Sequence, residues 1–287
     1  MKDLKKRTIT AIVLIALMIP VVYFAGIVLE IFTAIFCLLA AYELEKMFKK
    51  ENGWSFYGIT NIVLSLIAYF VFYYTFMLSL PVIVLMFVVS LFLVQGFLMV
   101  FTKESDSYSL GNSLITIFYP SIGFSTLAFI RNINIDELWH GGFFILLYAV
   151  VICMMTDMFA YFFGSKFGKH KLCERISPKK SWEGSIAGTV FAVIFGTIFA
   201  YFTGVSSFLF RVGDNAFLSI ILTAVLTLVL SVIDEIGDLF ASKLKRTYGI
   251  KDYSQLFPGH GGILDRFDSY IFVSTALSTF ILILGLF

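Results

Sequence analysis

Charge is scarce in this chain: Asp, Glu, Lys and Arg make up only 14% of its 287 residues, while 59% are hydrophobic and 34 are Phe. Soluble domains carry about a quarter charged residues, so a water-soluble fold is excluded for most of the length and lipid is its solvent. The charges that are present nearly cancel, 21 bases against 19 acids, which excludes a nucleic-acid binder with a strongly basic face. Cysteine is rarer still. Cys37, Cys153 and Cys173 are too few and too scattered for a disulfide framework, and without a Cys-x-x-Cys pair they do not make a zinc site, which leaves them a packing role. Long linkers and internal repeats are also missing.

What is present is a series of apolar runs. A helix needs about 20 mainly apolar residues to cross the hydrocarbon core, and such runs lie near 8 to 25, 27 to 44, 56 to 78, 81 to 101, 113 to 130, 142 to 163, 184 to 205, 217 to 239 and 268 to 286. The expectation is an all-α, polytopic integral membrane protein of about nine transmembrane helices. Lys2, Lys5, Lys6 and Arg7 before the first run resemble the start of a signal peptide, but the spans that follow favour a retained first helix.

With the N-terminus in the cytoplasm, the bases test that count, because cytoplasmic loops collect Lys and Arg. Four precede the first span, three lie at Lys46, Lys49 and Lys50, one at Lys103, six from Lys166 to Lys180 and five from Lys243 to Arg266, leaving only Arg131 and Arg211 outside. The expected division is an N-terminal part, 1–141, and a C-terminal catalytic part, 142–287, with cytoplasmic loops at 164–183 and 240–267. Both loops are long, basic and rich in Gly, Pro, Ser and His, so function is sought there.

Several constellations in these segments carry chemistry. Asp234 and Asp238 are four apart at the end of the eighth span, on one helix face. Carboxylates at membrane depth are costly and face polar cavities, although they also suit solvation at the interface or pairing with Lys243 or Lys245. Asp265 and Asp268 lie three apart at the start of the ninth span, where they suit either Mg²⁺ binding or the helix dipole. Between these acids runs Pro258-Gly259-His260-Gly261-Gly262, a turn with so little bulk that its N–H groups can converge on an anion. His260 there is a phosphate donor, an acid or base, or a brace for the turn. Ser177-Pro178-Lys179-Lys180 fits an N-cap with Pro at the first helical position, placing both lysines in a first turn where a bound phosphate would offset their charge. Asp157 is either a further ligand or an ion-pair partner, and Lys166, Lys169 and Lys171 also serve simply as cytoplasmic markers.

Three segments resemble the phosphatidate cytidylyltransferases, also called CDP-diacylglycerol synthases. The longest runs unbroken for 27 residues, from Ser242-Lys243-Leu244-Lys245-Arg246 through Lys251-Asp252 to Pro258-Gly259-His260-Gly261-Gly262-Ile263-Leu264-Asp265-Arg266-Phe267-Asp268. Asp157 to Gly164 and Ser177 to Gly184 are the other two. The sequence departs from the family pattern at Ala241, where an acid is expected, and at Asp234-Glu235, which is more acidic than expected. The resemblance implies cytidylyl transfer from CTP to phosphatidate, giving CDP-diacylglycerol and pyrophosphate, with Mg²⁺ required and a second cation as an option.

On that reading Asp238, Asp265 and Asp268 hold the metal, and Arg266 and His260 join them in catalysis. Substrate binding falls to Lys179, Lys180, Ser177, Gly261, Gly262, Lys245, Arg246, Lys251 and Asp157. The expected partners are CTP, phosphatidate and membrane lipid but no nucleic acid, in the inner membrane with the site facing the cytoplasm. A homodimer is expected only from how often membrane enzymes pair. The alternatives are a CTP-dependent lipid kinase, an ion-coupled transporter, whose acids would lie near mid-span, and a noncatalytic scaffold.

Overall fold

A chain crossing lipid has to satisfy its backbone internally, and a helix does so within one segment. The computed structural model describes residues 16, 18–49, 56–78, 80–101, 107–133, 141–211, 215–257, 259 and 261–285. Its elements in chain order are α1 Gly26–Phe48, α2 Phe56–Leu78, α3 Pro81–Phe101, α4 Ser107–Asn132, α5 Gly141–Phe167, β1 Lys171–Cys173, β2 Ser177–Ser181, α6 Trp182–Phe202, α7 Val205–Leu209, α8 Ala216–Thr247 and α9 Leu264–Leu284. Among the described residues, seven helices are long and apolar enough to span a membrane, and α3 contributes the shorter apolar run Val82–Leu98. This is an integral membrane protein, all-α apart from one small hairpin among the described residues. Half of the first expected span, near 8 to 25, lies outside the described residues, and 18–24 is helical. The loop expected from residue 240 begins as helix, because α8 continues to Thr247.

Contacts divide the chain into two units. One holds the described residues up to Phe129 together with Tyr248–Arg266. Its apolar core joins Ala68, Phe72, Leu91 and Ile117. Beside that core a buried polar network is closed by complementary donors: Asn61 Nδ2 donates to Glu45 Oε1 and Ser113 Oγ, both at 2.8 Å, Gln95 Nε2 donates to Asn61 Oδ1 at 3.0 Å, and Tyr57 Oη donates to Gln95 Oε1 at 3.0 Å. In hydrocarbon such groups have only one another as partners, so the network ties α1 to α2, α3 and α4.

The other unit holds Ile130–Thr247 and the chain from Phe267 onward. Here α5 and α6 approach closely because small residues line the seam: a Cβ on Gly184 would lie 2.6 Å from Ala160 O, and one on Gly188 would lie 2.5 Å from Thr156 O. This is small-residue packing as membrane helices use it. Along α8, Ser219, Thr223, Thr227 and Ser231 recur every four residues and form one buried stripe. Thr223 meets Ser206 at 2.9 Å, Thr227 meets Tyr148 at 2.6 Å and Ser231 meets Thr156 at 2.8 Å. The stripe leads into Asp234 and Glu235.

One local expectation is corrected. Ser177 does not cap a helix with Pro178, Lys179 and Lys180 in its first turn; Ser177–Ser181 is a strand, paired antiparallel to Lys171–Cys173. The helix starts later, at Trp182, where Ser181 is the N-cap and its side chain accepts from Gly184 N. The reason is electrostatic. Two lysines in a first turn oppose the helix dipole, whereas Ser181 followed by Glu183 suits it, and Pro178 is at home in extended backbone.

Candidate active site

In the second unit, the charged residues of α5, β2, α8 and α9 come together. Side chains alternate along a strand, so Lys179 and Lys180 point to opposite sides: Lys179 is exposed, and Lys180 Nζ lies 2.7 Å from Asp238 Oδ2. Burial works against the Lys180 ammonium, but Asp238, the hydrogen bond to it, Glu235 and Asp157 outweigh burial and hold the amine above its ordinary value. Asp157, exposed on α5, is thus within electrostatic reach of Lys180. Asp268, near the start of α9, feels both Asp238 and the buried Lys245.

Deeper along α8 the acids are short of hydrogen-bond donors. Asp234 is 0% exposed, and neither of its carboxylate oxygens has a hydrogen-bond partner. Glu235 accepts from Ser185 Oγ through Oε2, while Oε1 is buried without a partner. A close approach brings α9 alongside, since a Cβ on Gly237 would lie 3.0 Å from Asp268 O, and Ser269 Oγ donates to Asp234 O at 3.2 Å. Five carboxylates, Asp157, Asp234, Glu235, Asp238 and Asp268, therefore share this region with two ammonium groups, Lys180 and Lys245. Asp234 and Glu235 are buried and Asp238 and Asp268 half-buried, and such an excess of negative charge is a place for a cation or for protons. Among the described residues no three His, Cys, Asp or Glu side chains form a ready-made metal cage.

In the first unit, the glycine turn is held by the chain's own anions. Pro258 and His260 lie outside the described residues. Gly259 and Gly261 adopt φ of 79° and 84°, values that glycine takes without strain, and Phe257 N donates to Gly261 O at 2.9 Å. Asp265 Oδ2 accepts from Tyr253 N at 2.8 Å and Gly262 N at 2.9 Å. The next two N–H groups, of Ile263 and Leu264, donate to Glu43 at 2.9 and 3.0 Å. Of the turn's own N–H groups, that of Gly262 goes to an internal carboxylate, as do those of Ile263 and Leu264 just after it. Arg266, Lys251 and, in the other unit, Arg246 are exposed.

Sequence reasoning overlooked Glu43, Ser185 and Ser254. Glu43 did carry a signal, because an acid inside an apolar run needs a partner. The two serines carried none, since nothing in their spacing points to Glu235 or Glu43.

The fold and site define a polytopic membrane protein with a lysine and carboxylate cluster at its helix ends and a carboxylate-held glycine turn. The chain belongs to the Cytidylyltransferase family, whose profile matches residues 5–284. It is 33% identical over 284 residues to the phosphatidate cytidylyltransferase of Staphylococcus aureus (strain COL), covering 96% of this chain and 98% of that protein. It is 29% identical over 277 residues to the phosphatidate cytidylyltransferase of Staphylococcus haemolyticus (strain JCSC1435), again covering 96% and 98%. The phosphatidate cytidylyltransferase of Haemophilus influenzae (strain ATCC 51907 / DSM 11121 / KW20 / Rd) is 38% identical over 172 residues, 59% of this chain and 57% of that protein.

Proposed function

We propose that the protein transfers a cytidylyl group from CTP to phosphatidate, leaving CDP-diacylglycerol in the membrane and releasing pyrophosphate. The observation that carries this reading is similarity along 96% of the chain to a phosphatidate cytidylyltransferase. A phosphate oxygen of phosphatidate attacks the α-phosphorus of CTP. The new P–O bond forms as the bond from that phosphorus to the β-bridging oxygen breaks, and the electron pair departs with pyrophosphate. The attacking oxygen is already ionised at neutral pH, so no serine nucleophile or strong base is needed, and catalysis rests on alignment and charge.

Lys180, with its amine held charged by Asp238, Glu235 and Asp157, binds the departing phosphates. Asp238 and Asp268 would hold Mg²⁺, which when bound supplies positive charge to the α-phosphoryl and leaving oxygens. The unsatisfied carboxylate of Asp234 offers a second cation a place. Lys245 is buried and is assigned to balancing Asp268, while exposed Lys179 is offered to a phosphate group; Arg246, Lys251 and Arg266 are assigned to substrate by the family resemblance alone. Asp265 first of all shapes the glycine turn through Oδ2. The concentration of bases in the expected cytoplasmic segments supports a site facing the cytoplasm, where CTP is available.

The test is the fate of CTP labelled separately at the α- and γ-phosphates, with phosphatidate, with and without Mg²⁺. Lipid labelled from the α-phosphate alone, only with Mg²⁺, and reduced by about a hundredfold or more in Asp238→Asn, is the expected outcome. Label from the γ-phosphate would mean phosphoryl transfer to lipid instead.

A further inference from the structure

Glu43 sits near the end of α1 and is 2% exposed, yet its contacts reach 220 residues along the chain. Oε1 accepts from Ser254 Oγ at 2.6 Å and Ile263 N at 2.9 Å, and Oε2 accepts from Leu264 N at 3.0 Å. Those two N–H groups are orphan donors at the start of α9, where a helix draws negative charge. The site that would otherwise attract a phosphate is filled by a side chain from a distant helix.

Gly262 is shaped to this carboxylate. A Cβ there would run into Glu43 Oε1 and lie 2.6 Å from its Cδ. The helix end that carries Glu43 is itself fixed, because Glu45, 4% exposed, is held by Asn61 from α2 at 2.8 Å. Through α1, the buried network of the first unit therefore determines where the segment from Tyr253 to Arg266 lies.

We infer that Glu43 is a positioning residue for the reaction: through Ser254, Ile263 and Leu264 it sets the place of Asp265 and Arg266 without touching substrate. This rests on the cytidylyl-transfer reading. Misplacing a catalytic segment by about 1 Å costs on the order of a hundredfold in rate, so the effect falls on kcat.

The experiment compares purified full-length wild type, Glu43→Gln, Glu43→Ala, Gly262→Ala and the Gly262→Ala doubles with each Glu43 variant. It reads kcat, KM for CTP, helicity, thermal stability in detergent and amide exchange across residues 253–264. In Glu43→Ala, kcat falls by about a hundredfold with KM for CTP little changed, helicity is retained and the amides of Ile263 and Leu264 exchange faster. Gly262→Ala alone also lowers kcat, and lowers it much less once Glu43 is Ala, because the side chain it displaces has gone. A purely structural role would lower stability while the folded fraction kept wild-type kcat, and that result overturns the proposal, as does strict additivity in the double variant. Should Glu43→Ala fail to fold, Glu43→Gln decides alone, because its amide nitrogen cannot accept where a carboxylate oxygen did: kcat falls with KM for CTP little changed and the amides of Ile263 and Leu264 exchange faster, whereas wild-type kcat in the folded fraction overturns the proposal. Absence of cytidylyl transfer in the wild type overturns the functional reading, and amide exchange then still decides whether Glu43 holds the segment.

Discussion

Asp234 illustrates how one residue can oppose folding and serve a site at once. A carboxylate buried without a hydrogen-bond partner costs stability unless a proton or cation offsets it, and both its oxygens lie in that state. Asp234→Asn keeps the shape and removes the charge. The expected outcome is lower cytidylyl transfer with the unfolding temperature in detergent kept or raised, since a neutral amide is cheaper to bury than a bare carboxylate; a variant that loses both stability and activity would contradict the uncompensated charge. Lys180 behaves in the opposite sense. Its pKa is raised in the folded protein, so the stabilisation from its charge is complete below the ordinary lysine value and is lost only as pH rises through the folded value. Between about pH 6 and pH 9 the amine does not titrate. Lys180→Gln should therefore still lower the rate at about pH 9, as read from paired pH profiles.

At the scale of elements, the hairpin and the helix after it place Lys180. The turn after α5 is fastened by Glu183, which accepts from Lys169 N at 3.1 Å and lies 2.6 Å from His170 Nδ1. Ser181 caps α6 and also fills space against Gly164, whose Cβ would lie 3.1 Å from Ser181 Oγ. Ser181→Ala should cost about 1 kcal/mol through the lost cap, measured as a lowered unfolding temperature in detergent. The seam between α5 and α6 is less forgiving. Gly188→Leu has no room against Thr156 O and Ala160 Cβ, so the variant should lose cooperative unfolding and activity together, whereas Gly111→Ala, where nothing lies within 4 Å, should lose neither.

For the whole molecule, the distribution of bases predicts sidedness. Arg175→Cys, in the hairpin, should react with a membrane-impermeant thiol reagent from the cytoplasmic side only, and Arg211→Cys from the opposite side only, in a background lacking the three native cysteines. Labelling of both from one face would overturn the topology derived from Lys and Arg.

The membrane character, the places of most helices though not their ends, and the family were legible in the sequence. Apolar runs in lipid become helices wherever they lie, because the backbone has no other partner there, and the segment from Ser242 to Asp268 carries its family pattern as a continuous string. The pairing of Lys180 with Asp238 and the hold of Glu43 on Ile263 and Leu264 were decided by tertiary structure, and the start of α6 at Trp182 instead of Pro178 by competing local signals. Each joins groups that are remote in sequence or turns on competing local preferences. A buried charge settles with whichever donor the packing brings within reach, and the spacing of residues along one chain does not encode that distance.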